Sequence, residues 1–180
     1  ISACLVGSEM CIRDRSIIAG ACAAAGADIV DAQVFTTSDG LALDMIYITR
    51  AFDLDEDELR RAGRIAMAIE RALTGEIRLA EIVAAKRDAE PTRAEVFDIE
   101  PEVKIDNSLS NRFSVIEVAG LDRRGLLFNL TAILSHLEIN IGSAHIATFG
   151  ERAADVFYVT DLHGAKITDP ARKEAIRSAI

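Results

Sequence analysis

Asp122, Arg123 and Gly125 fall in one short turn of the stretch DRRGLLFNLTAIL (122–134), between the strand-like FSVIEVAGL (113–121) and a periodic apolar run. Such a strand–turn–helix corner can do binding chemistry. The N–H groups of a first helical turn, here at Gly125, Leu126 and Leu127, have no partner within the helix and favour the α-carboxylate of an amino acid. Asp122 can then face the ligand's ammonium, and Arg123 lies in the same turn. Asn140 opens the next strand-like run, INIGSAHI, and its amide can both donate and accept toward a polar ligand. A purely structural reading stands beside this one: Asp122 caps the helix, and Gly125 only lets the chain turn, because glycine takes a left-handed backbone at little cost.

The remaining reactive side chains form no comparable group. His136, His145 and His163 are not spaced as metal ligands, and no metal site is expected. Cys4, Cys11 and Cys22 show no CxxC spacing, which suits a reducing, cytoplasmic setting. Asp44 and Asp155 occupy equivalent positions of a repeat, but an acid–base pair so far apart in sequence needs the fold to join it, and structural roles are expected for both. DLDEDE (53–58) lacks the glycine and distal glutamate of a calcium loop and reads as the acidic start of a helix. No nucleophile and base occur at catalytic spacing, so no catalytic residues are expected.

With 20 basic and 29 acidic residues among 180, a net charge of -9 and no basic stripe, the chain is a poor partner for nucleic acid. Half its residues are hydrophobic, enough for a core. The apolar run SIIAGACAAAGA (16–27) is shorter than the roughly 18 residues of a membrane span, and a repeat explains it better than a secretory signal does.

Sliding the chain along itself sets ADIVDAQVFTTSDGLALDMIYIT (27–49) against INIGSAHIATFGERAADVFYVT (139–160), at an offset of 112 that becomes 111 after one deletion. Ile29 meets Ile141, Ala32 meets Ala144, Asp44 meets Asp155 and Tyr47 meets Tyr158. Each block reads as two strands around a turn, and the spacing means two copies of a domain. Backwards, SIIAGACAAAG aligns with the helix after the corner, and Met10 to Asp14 fall opposite Asp122 to Leu126. Forwards, DLDEDELRRAGRIAMAIERALTG predicts a helix with Leu59, Ala62, Ala66, Ile69 and Leu73 on one stripe and an Asp53/Glu56 capping box. Asp169 can cap a last helix with Pro170 in its first turn. The expected class is α+β, with two ferredoxin-like βαββαβ domains in tandem, each an antiparallel sheet with its helices on one face. The boundaries expected are 16–75 for the first domain, lacking its first strand and completed by strand 102–107; 76–101 as linker; and 112–180 for the second, lacking its last strand. Both domains are thus truncated at the outer chain ends. Residues 1–15, ISACLVGSEMCIRDR, resemble translated sequencing-adapter read-through and are expected to be a non-native leader, although ACLVG is apolar enough to add an edge strand.

VIEVAGLDRRGLLFNLTAILSHLEINIGSAHIATFGERAADVFYVTDLHG and IAGACAAAGADIVDAQVFTTSDGLALDMIYI resemble the tandem ACT domains at the carboxyl end of the bifunctional uridylyltransferase/uridylyl-removing enzyme family. The resemblance covers nearly all of 16–180 and departs from the usual pattern at Arg124, where the family carries proline. It implies a regulatory module that senses glutamine for an enzyme modifying the PII regulatory protein in nitrogen metabolism. It places the nucleotidyltransferase and phosphohydrolase domains, with magnesium and UTP, outside this segment, and it implies that Asn140 belongs to the ligand site. No cofactor is expected within the segment itself. The alternative is a ligand-free ACT dimerisation or interaction module of another allosterically regulated enzyme, joined by ACT–ACT pairing.

Overall fold

The computed structural model describes residues 2–8, 12–36, 41–88, 101–123, 125–149 and 152–180. In chain order the elements are β1 (Ser2–Ser8), α1 (Ile12–Ala25), β2 (Ile29–Thr36), β3 (Leu41–Ile48), α2 (Asp55–Leu73), α3 (Leu79–Asp88), β4 (Glu102–Asp106), β5 (Ser114–Leu121), α4 (Leu126–His136), β6 (Asn140–His145), β7 (Thr148–Phe149), β8 (Arg152–Thr160) and α5 (Pro170–Ala179). One antiparallel sheet runs β1-β3-β2-β6-β8-β5-β4, with β7 attached to β8. The chain is α+β, as the alternation of β-rich runs and periodic helices predicts.

The halves meet where β2 pairs with β6: Asp31 lies opposite His145, Ala32 opposite Ala144, and Gln33 opposite Ser143. Ala32 and Ala144 are equivalent in the repeat, so equivalent strands run antiparallel through equivalent residues. A local two-fold axis therefore passes between these alanines. Alanine at both positions lets α1 and α4 pack together over the seam, while Ala32, Leu127 and Ile146 reach into both cores.

The second core joins Ile116, Val118, Ile141, Phe157 and Val159 of the sheet to Leu130 and Leu134 of α4 and Ile176 of α5. Leu130 is 3% exposed and Leu134 fully buried, which follows from their four-residue spacing. Leu127, Leu137 and Ile146 pack at its margin. Val115 is also buried, but as the neighbour of Ile116 it faces the other side of the sheet and stands outside this cluster. The first core gathers Ile18, Ala21 and Cys22 of α1 with Ile29, Ile46, Ile65, Ile69 and Leu79. Asp169 caps α5 as expected, accepting the Ala171 and Arg172 amides at 3.2 Å each.

Four expectations need correction or refinement. The strand at 102–106 forms, but it pairs with β5 and completes the second half as β6-β8-β5-β4. A short connection through 107–113 costs less closure entropy than a return across the sheet. That connection is pinned: Asn107 Nδ2 donates to Ile167 O at 3.0 Å, and Ile167 N donates to Ser114 Oγ at 2.8 Å. The outer strand position of the first half is taken by β1, against β3. The 76–101 stretch contains α3, held on α1 by buried Leu79 and Val83; residues 89–100 are outside the described residues. Finally, α2 buries Glu58, Arg61, Ile65 and Ile69, whereas Leu59 is 70% and Leu73 53% exposed, and its N-cap is Leu54 with no side-chain cap.

Candidate functional site

The corner is built by β5 ending at Leu121 and α4 beginning at Leu126. Gly125 links them in the left-handed region, φ 78° and ψ 7°, and no side chain caps the helix. A substituent here is excluded twice over. The backbone conformation disfavours any L side chain, and an added Cβ would lie 2.5 Å from Val83 Cγ1 of α3. Leu126 N–H donates to Arg123 O at 3.0 Å, so one of the three amides expected to be open is engaged in the turn. Asp122 and Arg123 are exposed, and Arg124 lies outside the described residues. The Leu126 and Leu127 side chains pack into the cores, leaving their backbones as the groups that can meet a ligand.

Asn140 is not part of this corner. It pairs with Thr160 at the far end of β8, whereas Leu121 pairs with Arg152. At about 3.3 Å per residue, the two ends are roughly 25 Å apart. The strand order of a split βαβ unit forces this, because α4 descends the length of the sheet before β6 begins. The two-fold seam brings the first half's own β2 start toward the corner end of the second half: Ile146 N–H donates to Val30 O at 3.3 Å. Asp28, equivalent to Asn140 in the repeat, stands two residues before Val30.

The buried carboxylate at this end is Asp155, on β8. It shares its face with Phe157 and Val159, turned toward α4, and is 2% exposed. The Ala147 amide donates to the carboxylate, while Oδ1 has no partner. Burial pushes its pKa from 3.8 up to about 6; the Ala147 hydrogen bond opposes the rise and the nearby Asp122 charge adds to it. Asp44 does not join it, since β2 and β6 separate β3 from β8. Among the described residues no three His, Cys, Asp or Glu side chains gather as a metal set. His145 Nδ1 instead lies 2.9 Å from Asp31 across the seam.

A family model for the N-terminal ACT domain of the ACR family matches residues 109–180. Bifunctional uridylyltransferase/uridylyl-removing enzymes of Nitrobacter hamburgensis and Bradyrhizobium diazoefficiens are each 61% identical to the chain over 165 residues. That of Rhodopseudomonas palustris is 58% identical over 166 residues. The chain is an ACT-domain segment of this enzyme family. The alignments cover 92% of the chain but 18% of each relative, so the segment spans under a fifth of their length. No solved structure matches it significantly.

In this ACT segment the seam is closed by apolar packing. A cavity of about 40 Å³ lies on the local two-fold, walled by Ala32, Ala144, Ile29, Ile141 and Leu127, with Thr131 as its polar neighbour. The Thr131 hydroxyl is already committed to Leu127 O at 2.8 Å. Its lining is too apolar to receive an amino acid's charged ends. No described helix of the segment is long and apolar enough to cross a membrane.

Proposed function

We propose that both halves of the sheet are ACT domains and that the segment senses a free amino acid, glutamine, for a bifunctional enzyme that adds uridylyl groups to the PII regulatory protein and removes them. Its role is regulatory; UTP and magnesium act in catalytic domains that the segment does not include. The observation that carries the reading is the α4 N-terminus. It has no side-chain cap, no acidic residue in its first turn and a glycine at the point where a carboxylate would approach. Asp122, exposed at the rim, and Arg123 complete the polar surroundings, while Asn140 serves the opposite end of the sheet. The setting is cytoplasmic, where free glutamine is available to be sensed.

Calorimetric titration of the chain with the proteinogenic amino acids tests the proposal. Saturable binding of glutamine in preference to glutamate and asparagine is the expected result. Absence of heat with every amino acid rejects it and favours the second reading, a ligand-free interaction module. That reading is supported by the continuous β2–β6 seam, which already joins two equivalent edges.

A further inference from the structure

We propose that the chain pairs with a second copy of itself through α2, the two helices crossing antiparallel at Gly63. The pairing is independent of amino-acid binding at the corner. α2 turns Glu58, Arg61, Ile65 and Ile69 inward, and on the side away from them Asp55, Leu59, Gly63, Met67 and Arg71 are all exposed. Standing four residues apart, these five form a single ridge of the helix. Leu59 is 70% and Met67 58% exposed, and Leu54 and Leu73 add exposed apolar surface at the two helix ends. No other described element exposes more than one large hydrophobic residue. Apolar surface gathered in this way marks an interaction face.

What selects a second copy is that the ridge complements itself. Acid, apolar residue, glycine, apolar residue and base follow one another along it, so an antiparallel pair sets Leu59 on Met67 of the second copy and Asp55 on Arg71 of the second copy. A two-fold dimer uses the same patch on both chains, and a patch with this order fits its own image. At the crossing Gly63 meets Gly63, where the missing side chains let the axes approach to about 8 Å, and ridges of this spacing interdigitate at about -50°. Charge fixes the sense. Asp55 and Glu56 make the exposed start of α2 acidic, and Arg64 and Arg71 make its second half basic, with Arg60 and Glu70 as the exceptions. A parallel pair would set Asp55 against Asp55 and Arg71 against Arg71. Asp55 already holds Arg50 at 2.7 Å and Arg71 holds Glu76 at 3.3 Å, but all four side chains are more than half exposed, so these pairs can extend into a network shared by both copies. Glu56 and Glu70 meet as a like-charged pair, which solvent and salt screen at exposed positions.

One helix pair buries less than the roughly 1,200 Å² of a standard interface, so the dimer is weak, with a dissociation constant on the order of 100 µM. In the dilute solution of a melting curve the chain is therefore monomeric, and α2 is open to water. The experiment is sedimentation equilibrium of the full chain from about 10 µM to about 1 mM. A reversible monomer–dimer equilibrium is expected. Leu59→Lys and Gly63→Glu each abolish it over that range without changing the circular dichroism, since Leu59 is exposed and nothing stands within 4 Å of where a Cβ at 63 would lie. Asp55→Arg and Arg71→Asp each turn two attractive contacts repulsive and weaken self-association about tenfold, while an equimolar mixture of these two variants pairs as well as the parent. A chain that stays monomeric throughout overturns the proposal and leaves the ridge to a different protein or to a segment outside the described residues. A dimer that survives Leu59→Lys or Gly63→Glu pairs elsewhere and overturns it too. Charge reversals without effect, or a mixture that does not recover, overturn the antiparallel crossing.

Discussion

Arg61 and Arg172 occupy equivalent places in the two halves and close the same gap, the carbonyl just past the first helix of each half. Arg61 Nη2 donates to Gly26 O at 2.9 Å, and Arg172 Nη2 to Glu138 O at 3.2 Å. Both carbonyls follow a left-handed turn, with φ 70° at Gly26 and 56° at Glu138. The surroundings differ. Arg61 is 3% exposed, also binds Thr49 O at 2.8 Å, and lies 3.5 Å from Glu58. Glu58 in turn accepts the Ala51 and Phe52 amides at 2.5 and 2.7 Å. Burial pushes the Glu58 pKa up, but those amides and Arg61 outweigh it, and the net value is lowered. Glu58 and Arg61 of the first half therefore form a satisfied buried set. The second half leaves Arg172 half open and keeps its buried carboxylate, Asp155, unsatisfied at the corner. On the proposed reading, the first half is scaffold and the second carries the binding site.

The widest break in that comparison comes from the same substitution made twice. Arg61→Ala strips the Gly26 and Thr49 carbonyls of their donor and leaves the buried Glu58 carboxylate without its counter-charge, a loss of about 3 kcal/mol. Arg172→Ala, at a half-open site with longer bonds, costs about 1 kcal/mol. Urea denaturation of both variants checks this. Equal losses would mean that the two arginines are equivalent in energy as well as in position.

Gly125 is the next test, because the sequence assigned it either geometry or ligand approach. Ala at 125 forces a left-handed conformation and places its Cβ 2.5 Å from Val83 Cγ1, for an expected loss of about 2 kcal/mol. If the clash supplies much of it, adding Val83→Ala recovers part of the loss, a coupling that a double-mutant cycle measures. Purely additive losses would show that α3 does not press on the corner.

How much of this was legible varied with how local the cause was. Leu130 and Leu134, the β2–β3 hairpin and the Asp169 cap followed from spacing, since each depends on neighbours within a few residues. Even the two-fold seam was latent in the alignment of Ala32 with Ala144. The fate of strand 102–106 was not, because β5 and a strand of the first half are equally plausible partners until loop length decides. In α2 the polarity pattern misled: Glu58 and Arg61 point inward because backbone groups from 26, 49, 51 and 52 satisfy them, and no pattern within the helix encodes those distant partners. Asp122 and Gly125 share one turn because they are adjacent in sequence, whereas Asn140 lies at the other end of the sheet, a separation that only the strand order reveals. Asp155 was seen only as a repeat position, since its burial is a tertiary fact.

Asp155 and Glu58 also predict opposite responses to pH. A carboxylate with a lowered pKa adds stability above its ordinary range. Asp155, raised from 3.8 to about 6, does the reverse. The folded state holds the extra proton in that window, so the contribution is complete below about pH 4 and is lost as pH rises through about 6. Asp155→Asn therefore gains about 2 kcal/mol over the parent near pH 8, and the gain vanishes near pH 4. Melting curves of both proteins across that range show it as a difference that grows with pH. A constant difference would assign Asp155 a neutral, pH-insensitive place in the core and erase the contrast with Glu58.

The smallest expected effect sharpens the scaffold reading of the first half. Gly63 lies in the interior of α2, where the repeat places Glu174 in α5, and nothing stands within 4 Å of where its Cβ would be. Its neighbours on the helix are exposed, so a side chain there meets water and no packing constraint. Glycine in such a site costs conformational entropy on folding, and Gly63→Ala is expected to stabilise by about 0.5–1 kcal/mol. Gly63→Glu, which copies the second half, gains less, because alanine is the stronger helix former and gives up no side-chain freedom. If the two halves carry separate duties, either change raises the melting temperature while glutamine affinity stays at the parent value. A stabilised variant with altered affinity would instead tie α2 to the corner, through α1 and the seam, and make the first half part of the sensor.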